Sequence, residues 1–228
     1  MARSDHVYET LRSQILSGER APGSHVPEES LTQTLGVSRT PVRAALQRLA
    51  DEGLVEVRAR RGAFVAEFTR ADVDEVFELR ALLERRAAQR AATHRTAEQL
   101  GRLGRLVDEM ADLAAAPGER QRDELHHNNR DFHELVLTAA ASPRQYRIAT
   151  GLASTSPTPG TFFDYDDEDI ARSVDFHRLI TRAIERGQGE LAGDLMAAHI
   201  GLAHESFVAR RFAVPAEGST AGSSSGAS

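Results

Sequence analysis

The stretch VSRTPVRAALQRL, residues 37–49, predicts a short helix with two chemically different faces. Ser38 is a favourable N-cap residue, and Pro41 is tolerated because the first helical turn has no internal partner for its missing N–H. At helical spacing, one apolar face is formed by Val42, Ala45, Leu46 and Leu49. The other face offers guanidinium, hydroxyl and amide groups, which can read bases in a DNA major groove. Taken alone, the pattern also fits an ordinary amphipathic surface helix.

The segments on either side of this helix favour DNA binding. Residues 27–35 predict a second short helix with Leu31 and Leu35 on one face, and Gly36 follows as a tight turn. This order is typical of a helix-turn-helix. Residues 54–65 predict a two-stranded hairpin with three arginines at its tip, which is the wing of a winged helix. The predicted DNA-contacting residues are Ser38, Arg39, Thr40, Arg43, Gln47, Arg61 and Gly62.

These motifs resemble the N-terminal domain of GntR-type bacterial transcriptional regulators. The resemblance rests on Pro22-Gly23, the run VSRTPVR, Glu52-Gly53-Leu54-Val55 and Arg61-Gly62, which occur in this order. It implies a winged helix-turn-helix domain over residues 1–70, with double-stranded DNA as its partner.

Composition is compatible with this assignment. The net charge is −6, yet residues 1–70 contain ten arginines against nine acidic side chains. Within residues 38–62 there are six arginines and three acids, so positive charge is concentrated where DNA would bind. There is no cysteine and no long apolar run that resembles a signal peptide or a membrane span. We therefore expect a cytoplasmic protein with no membrane partner.

The rest of the chain predicts an all-α bundle of about six helices, so the expected fold class is mainly α. Proline and glycine separate the helical patterns. The predicted helices are 72–93, 96–114, 119–141, 143–153, 168–186 and 189–211. We accordingly expect an effector domain over residues 71–212 and a disordered tail over residues 213–228, which is rich in Gly, Ser and Ala.

Two charged side chains interrupt the apolar stripe of the first of these helices. Arg80 and Glu84 fall among Val76, Phe77 and Leu83, where an unpaired charge would be costly. One interpretation is an ion pair between Arg80 and Glu84, four residues apart. The other is that Arg80 points into a cavity and grips a ligand carboxylate with two parallel hydrogen bonds.

Three predicted helices each place a histidine on an apolar face. His133 follows Asn129 at helical spacing, His177 shares a face with Ile180 and Ile184, and His199 lies between Leu195 and Leu202. A single buried histidine is usually structural, but three of them favour a shared divalent metal site. We predict His133, His177 and His199 as ligands, with Asn129 as a weak fourth ligand. Zinc is the expected ion, with nickel or manganese as alternatives.

Residues 72–211 also resemble the FadR-type (FCD) effector domain. The resemblance rests on Glu78-Leu79-Arg80 with Glu84, on Asn129 with Phe132-His133, and on the segments around His177 and His199. It implies an all-α, metal-bearing, dimeric domain that responds to small carboxylates. This sequence has Asn129 where the family usually has an acid, which leaves metal affinity and identity open. Length and helix count resemble the six-helix VanR-like branch.

Together these features predict a non-enzymatic, ligand-responsive transcriptional regulator, acting as a repressor of a metabolic operon. We expect a homodimer that binds a palindromic operator and releases it when a small organic acid occupies the helical domain. Two alternatives stay open. The histidine cluster could be purely structural, or three histidines with an open coordination position could activate water in a metal-dependent hydrolase.

Overall fold

A computed structural model of the protein describes residues 3–16, 18–67, 69–115, 120–155 and 165–212. The predicted tail after residue 212 and residues 156–164 lie outside these ranges. In the described chain, a small helical domain with a three-stranded sheet is followed by a six-helix bundle. The mainly α fold class expected from the sequence is confirmed.

The N-terminal domain contains three helices and a sheet. Its elements are α1 (Arg3–Leu16), β1 (His25–Val26), α2 (Glu28–Leu35), α3 (Arg39–Asp51), β2 (Val55–Arg58) and β3 (Gly62–Val65). Gly36 ends α2 in the left-handed conformation, at φ 63°, which is why the chain turns sharply into α3. The sequence predicted a two-stranded wing, but the sheet has the order β1-β3-β2, with all pairs antiparallel. That prediction missed β1.

The apolar face of α3 forms much of this domain's core. Val42, Ala45, Leu46 and Leu49 are all nearly inaccessible to solvent, as their helical spacing predicted. They pack with Val7 and Leu11 of α1 and with the inner residues of the sheet. Burying a side chain of this size stabilises a fold by about 1.5–3 kcal/mol. The opposite face of α3 is therefore held outward by the packing behind it.

The remaining helices form the bundle. They are α4 (Arg70–His94), α5 (Ala97–Ala115), α6 (Arg120–Ala139), α7 (Pro143–Thr155), α8 (Asp167–Glu185) and α9 (Gly189–Arg211). Thr69 begins α4 with a capping box, in which its hydroxyl accepts from the Asp72 N–H at 3.2 Å and the Asp72 carboxylate accepts from the Thr69 N–H at 2.8 Å. Each bundle helix lies within about two residues of its predicted bounds.

A core of aliphatic and aromatic side chains fills the bundle. Phe132 on α6, Ile180 and Ile184 on α8, and Met196 and Ile200 on α9 are essentially fully buried within it. The helices α4, α6, α8 and α9 pack around one another, and this arrangement brings the inward faces of α6, α8 and α9 together. The buried residues His133, His177 and His199 lie at that convergence.

Candidate functional site

The outer face of α3 presents its polar residues to solvent. Ser38 occupies the N-cap position but makes no side-chain capping bond, and Arg39 and Thr40 are exposed in the first turn. Arg43 and Gln47 are also exposed. Their side chains pair with acidic neighbours, Arg43 Nε donating to Glu28 at 2.8 Å and Gln47 Nε2 donating to Asp51 at 2.9 Å. To bind DNA, Arg43 and Gln47 would have to exchange these contacts for contacts with bases or phosphates.

The tip of the β2–β3 hairpin is tightly turned. Arg60 and Gly62 both have positive φ, at 62° and 92°, and Arg61 is exposed between them. A side chain at Gly62 would place its Cβ 2.8 Å from the Nε2 atom of His25, so this position favours glycine on two grounds. The guanidinium of Arg61 lies 5.7 Å from the Phe64 ring centroid and remains available at the surface.

The three histidines meet inside the bundle. One nitrogen from each of His133, His177 and His199 lies within 4.8 Å of the others, and all three residues are buried. The Nε2 atoms of His133 and His199 are 3.2 Å apart. Two nitrogens bound to one tetrahedral zinc ion at about 2.0–2.1 Å would be separated by roughly 3.3 Å. This group of residues could therefore hold a metal ion.

The unsatisfied groups at the site fit such an ion. Both ring nitrogens of His177 are buried and have no hydrogen-bond partner among the described residues, and the same is true of the Asn129 Oδ1 atom. A buried polar atom without a partner costs about 1–3 kcal/mol. The His177 ring stacks on Phe132, with centroids 3.8 Å apart and planes 10° from parallel, so its orientation is fixed. A metal ion held among the three histidines would satisfy one of the His177 nitrogens.

Burial sets the protonation of two of these histidines. It lowers the pKa of His177 and of His199 well below the usual histidine value, and repulsion between protons on neighbouring histidine rings would lower it further. Both rings are consequently neutral at pH 7. Neutral imidazole is the form that binds metal ions.

Glu84 orients His133 from behind. Its Oε2 atom lies 2.5 Å from His133 Nδ1 and accepts the hydrogen bond of that nitrogen; when the His133 ring is neutral, this bond leaves its Nε2 lone pair facing His199. Burial by itself raises the pKa of Glu84, but the charges on His133 and Arg80 outweigh it and lower the pKa to about 2. The carboxylate is therefore ionised. A carboxylate-histidine pair of this kind commonly supports a protein metal site.

Arg80 combines both arrangements that its sequence position allowed. Its Nε atom donates to Glu84 Oε1 at 3.0 Å, and its side chain also lines a cavity beside the histidines. Within the described residues, the hydrogen bonds of Arg80 involve only Nε. Its two terminal guanidinium nitrogens have no hydrogen-bond partner in that part of the chain. The sequence showed the spacing of Arg80 and Glu84, but it gave no sign of the bond from Glu84 to His133, because those residues are far apart in the chain.

The cavity has a volume of about 290 Å³, enough for a small molecule. His133, His199 and Asn129 line it, whereas His177 does not. Two arginines that sequence reasoning had not singled out, Arg12 and Arg130, also line it. Nothing in their local patterns marks them, because Arg12 comes from α1 and Arg130 is an ordinary exposed residue of α6. The space therefore combines three guanidinium groups with a potential metal centre.

Comparison with known proteins assigns both parts of the chain. Residues 3–65 match the family "Bacterial regulatory proteins, gntR family", and residues 75–202 match the FCD domain. An uncharacterized HTH-type transcriptional regulator of Bacillus subtilis is 31% identical over 130 residues, which cover 57% of this chain and 57% of that protein. The chain thus spans less than two thirds of that relative.

Two further matches extend over both domains. An uncharacterized HTH-type transcriptional regulator of Mycobacterium tuberculosis is 30% identical over 222 residues, covering 96% of this chain and 88% of the relative. A crystal structure of a GntR regulator from a Rhodococcus species shares the fold, with a TM-score of 0.73, 23% identity, and coverage of 92% and 99%. No helix in the described part of the chain is long and apolar enough to cross a membrane. The chain is therefore a transcriptional regulator of the GntR family, with a helix-turn-helix domain followed by an FCD domain.

Proposed function

We propose that the protein is a metal-dependent carboxylate sensor that represses a metabolic operon from the cytoplasm. The observation that carries this proposal is the convergence of His133, His177 and His199 beside a cavity that Arg80 also lines. A divalent ion held there, zinc before nickel or manganese, would supply an open coordination position for a carboxylate oxygen. The two terminal guanidinium nitrogens of Arg80 would donate hydrogen bonds to other oxygen atoms of the ligand.

The donor set explains why the ligand should be an anion. Neutral imidazoles and the neutral amide of Asn129 leave the charge of a divalent ion uncompensated, and Glu84 is already shared between His133 and Arg80. The space of about 290 Å³ suits a small mono- or dicarboxylate, including a hydroxylated one, better than a long acyl chain. We propose that the domain belongs to the six-helix, VanR-like branch, and the six bundle helices of the described chain, α4 to α9, support this proposal.

Regulation would follow from a shift between two populations of a homodimer. Each protomer would offer Ser38, Arg39, Thr40, Arg43 and Gln47 to one half of a palindromic operator. Arg61 and Gly62 at the wing tip would contact the backbone or the minor groove. In one form of the dimer the spacing of the two α3 helices would match the operator, and in the other it would not. A ligand that binds more tightly to the second form would release the DNA.

The hydrolase alternative finds little support in the site. Such a hydrolase would need a general base, and Glu84 is the carboxylate bonded to one of the histidines. Its carboxylate is bonded to both His133 and Arg80 and its pKa is lowered to about 2, so it is a weak base. A purely structural histidine cluster is the stronger competitor, and it predicts no response of DNA binding to metal.

The test is a titration of an operator fragment with the zinc-loaded chain, with and without small carboxylic acids. We expect at least one acid to weaken DNA binding, and we expect the effect to disappear when zinc is removed with a chelator. Arg80→Lys should retain only part of the response, since a point charge cannot reproduce the guanidinium fork. If the affinity for DNA changes with neither zinc nor any of the acids, the proposed sensor function is refuted, and a purely structural role of the histidine cluster is favoured.

A further inference from the structure

Arg12 connects the DNA-binding domain to the cavity. Among the described residues that line this space, Arg12 alone belongs to the winged-helix domain, and the others come from α4 to α9 or from Tyr165 just before α8. Its side chain is partly exposed, at 24%. A cationic group from the DNA-binding domain thus faces a cavity in the effector domain.

The same guanidinium also faces a cluster at the end of the recognition helix α3. Arg12 Nε lies 3.8 Å from Glu52 Oε2, a separation too long for a hydrogen bond. Glu52 accepts the Tyr8 hydroxyl at 2.8 Å and lies 3.6 Å from the Nε atom of Arg48. The Arg48 guanidinium stacks 3.6 Å above the Tyr8 ring. We call Tyr8, Arg12, Arg48 and Glu52 the Glu52 cluster.

The Glu52 cluster ties the C-terminal end of α3 to α1. Arg48 belongs to the last turn of α3, and Glu52 is its C-cap residue, whereas Tyr8 and Arg12 both lie on α1. Burial and the hydrogen bond to Glu52 raise the pKa of Tyr8, as expected for a phenol that donates to a carboxylate. Any change in the position of Arg12 therefore alters the charge balance at the end of the recognition helix.

We propose that Arg12 contacts the anionic ligand in the cavity, and that the ligand competes with Glu52 for its guanidinium. This inference rests on the proposed function. Arg12 is close to Glu52 but not hydrogen-bonded to it. A carboxylate in the cavity could therefore attract the Arg12 guanidinium without breaking a hydrogen bond to Glu52. Occupancy of the cavity would then weaken the Glu52 cluster and link ligand binding to the recognition helix.

The arrangement also specifies the class of ligand. The histidines and Arg80 are in the bundle, and Arg12 comes from the other domain, so an anion that reaches both must be negatively charged at two ends. Dicarboxylates short enough for about 290 Å³ meet this requirement. A monocarboxylate would contact the bundle side alone and would be insensitive to Arg12.

The test is isothermal titration of the zinc-loaded full-length chain with malonate, succinate and glutarate, and with butyrate as a monocarboxylate. Arg12→Gln should weaken binding of the tightest dicarboxylate by about tenfold or more and leave butyrate unchanged. Arg12→Lys should lie between the two. Glu52→Gln should strengthen dicarboxylate binding, because it removes the competitor for Arg12. Arg20→Gln, a charge-matched change in the same domain but away from the cavity, should have no effect.

Three outcomes would overturn the inference. Unchanged dicarboxylate binding by Arg12→Gln would show that the side chain does not touch the ligand. Equal losses for butyrate and the dicarboxylates would indicate a general structural defect. A wild-type chain that binds none of the four acids would overturn the proposed function, and this inference with it. In the first two outcomes the wild type still binds the acids, so only this inference would be overturned.

Discussion

Replacing Glu84 by glutamine is expected to weaken zinc binding without removing any ligand atom. The carboxylate accepts from His133 Nδ1 at 2.5 Å and from Arg80 Nε at 3.0 Å, and it is buried. Loss of such a partner behind a metal-bound histidine typically costs ten- to a hundredfold in metal affinity, or roughly 1.4–2.8 kcal/mol. Glutamine has nearly the same shape, so the change acts mainly on charge and on the orientation of His133.

The same substitution should also destabilise the metal-free protein. Breaking a fully buried ion pair costs about 3–5 kcal/mol, because one charge is left uncompensated. The Arg80 side chain is 16% exposed, and glutamine can still accept one hydrogen bond, so we expect a smaller loss of about 1–3 kcal/mol. Chemical denaturation in the presence of a chelator would measure this loss separately from metal binding.

The metal affinity itself is best measured by competition with a coloured zinc chelator. Glu134→Gln is the matched control, since Glu134 on α6 also lines the cavity but accepts a hydrogen bond from the Tyr146 hydroxyl, at 2.6 Å, rather than from a histidine. Glu84→Gln should bind zinc at least tenfold more weakly than this control. Equal affinities in the two variants would refute the role assigned to Glu84.

Three further predictions concern other parts of the chain. Arg39→Ala and Arg43→Ala should each weaken operator binding by about 1–3 kcal/mol, whereas Arg61→Ala should mainly reduce the salt dependence of binding, and a DNA titration at several salt concentrations would separate the two patterns. Asn129→Asp should tighten zinc binding and weaken the binding of an anionic ligand, because it adds a negative charge at the site; a calorimetric titration that gave the opposite signs would contradict the proposed donor set. Thr69→Ala should lower the free energy of unfolding by about 1 kcal/mol through loss of the capping box, as measured by thermal denaturation.

The parts of the fold that could be predicted from the sequence are those with a local signal. The apolar spacing of Val42, Ala45, Leu46 and Leu49 determines which face of α3 is buried, and Gly36 marks the turn before it. The strand β1 was missed because two residues are too few to show alternation. It exists only because His25 and Val26 pair with β3, which is distant in the chain.

The sequence predicts only those features of the candidate site that depend on which face of a helix a residue occupies. Three inward-facing histidines indicated a common centre, and the structure brings them within 4.8 Å. Their supporting contacts depend on packing between helices, so the bond from His133 to Glu84 has no counterpart in the sequence pattern. The position of Arg12 at the cavity depends on how the two domains pack, which no periodicity within either domain encodes.

The measurement that tests the central claim most directly is the metal content of the purified chain. The protein would be dialysed against zinc, freed of excess ion and analysed by inductively coupled plasma mass spectrometry, beside the double variant His133→Ala/His177→Ala. The account predicts one zinc ion per wild-type chain and nearly none in the variant. Circular dichroism should show that both proteins are folded. Equal zinc occupancy in the two proteins would contradict it.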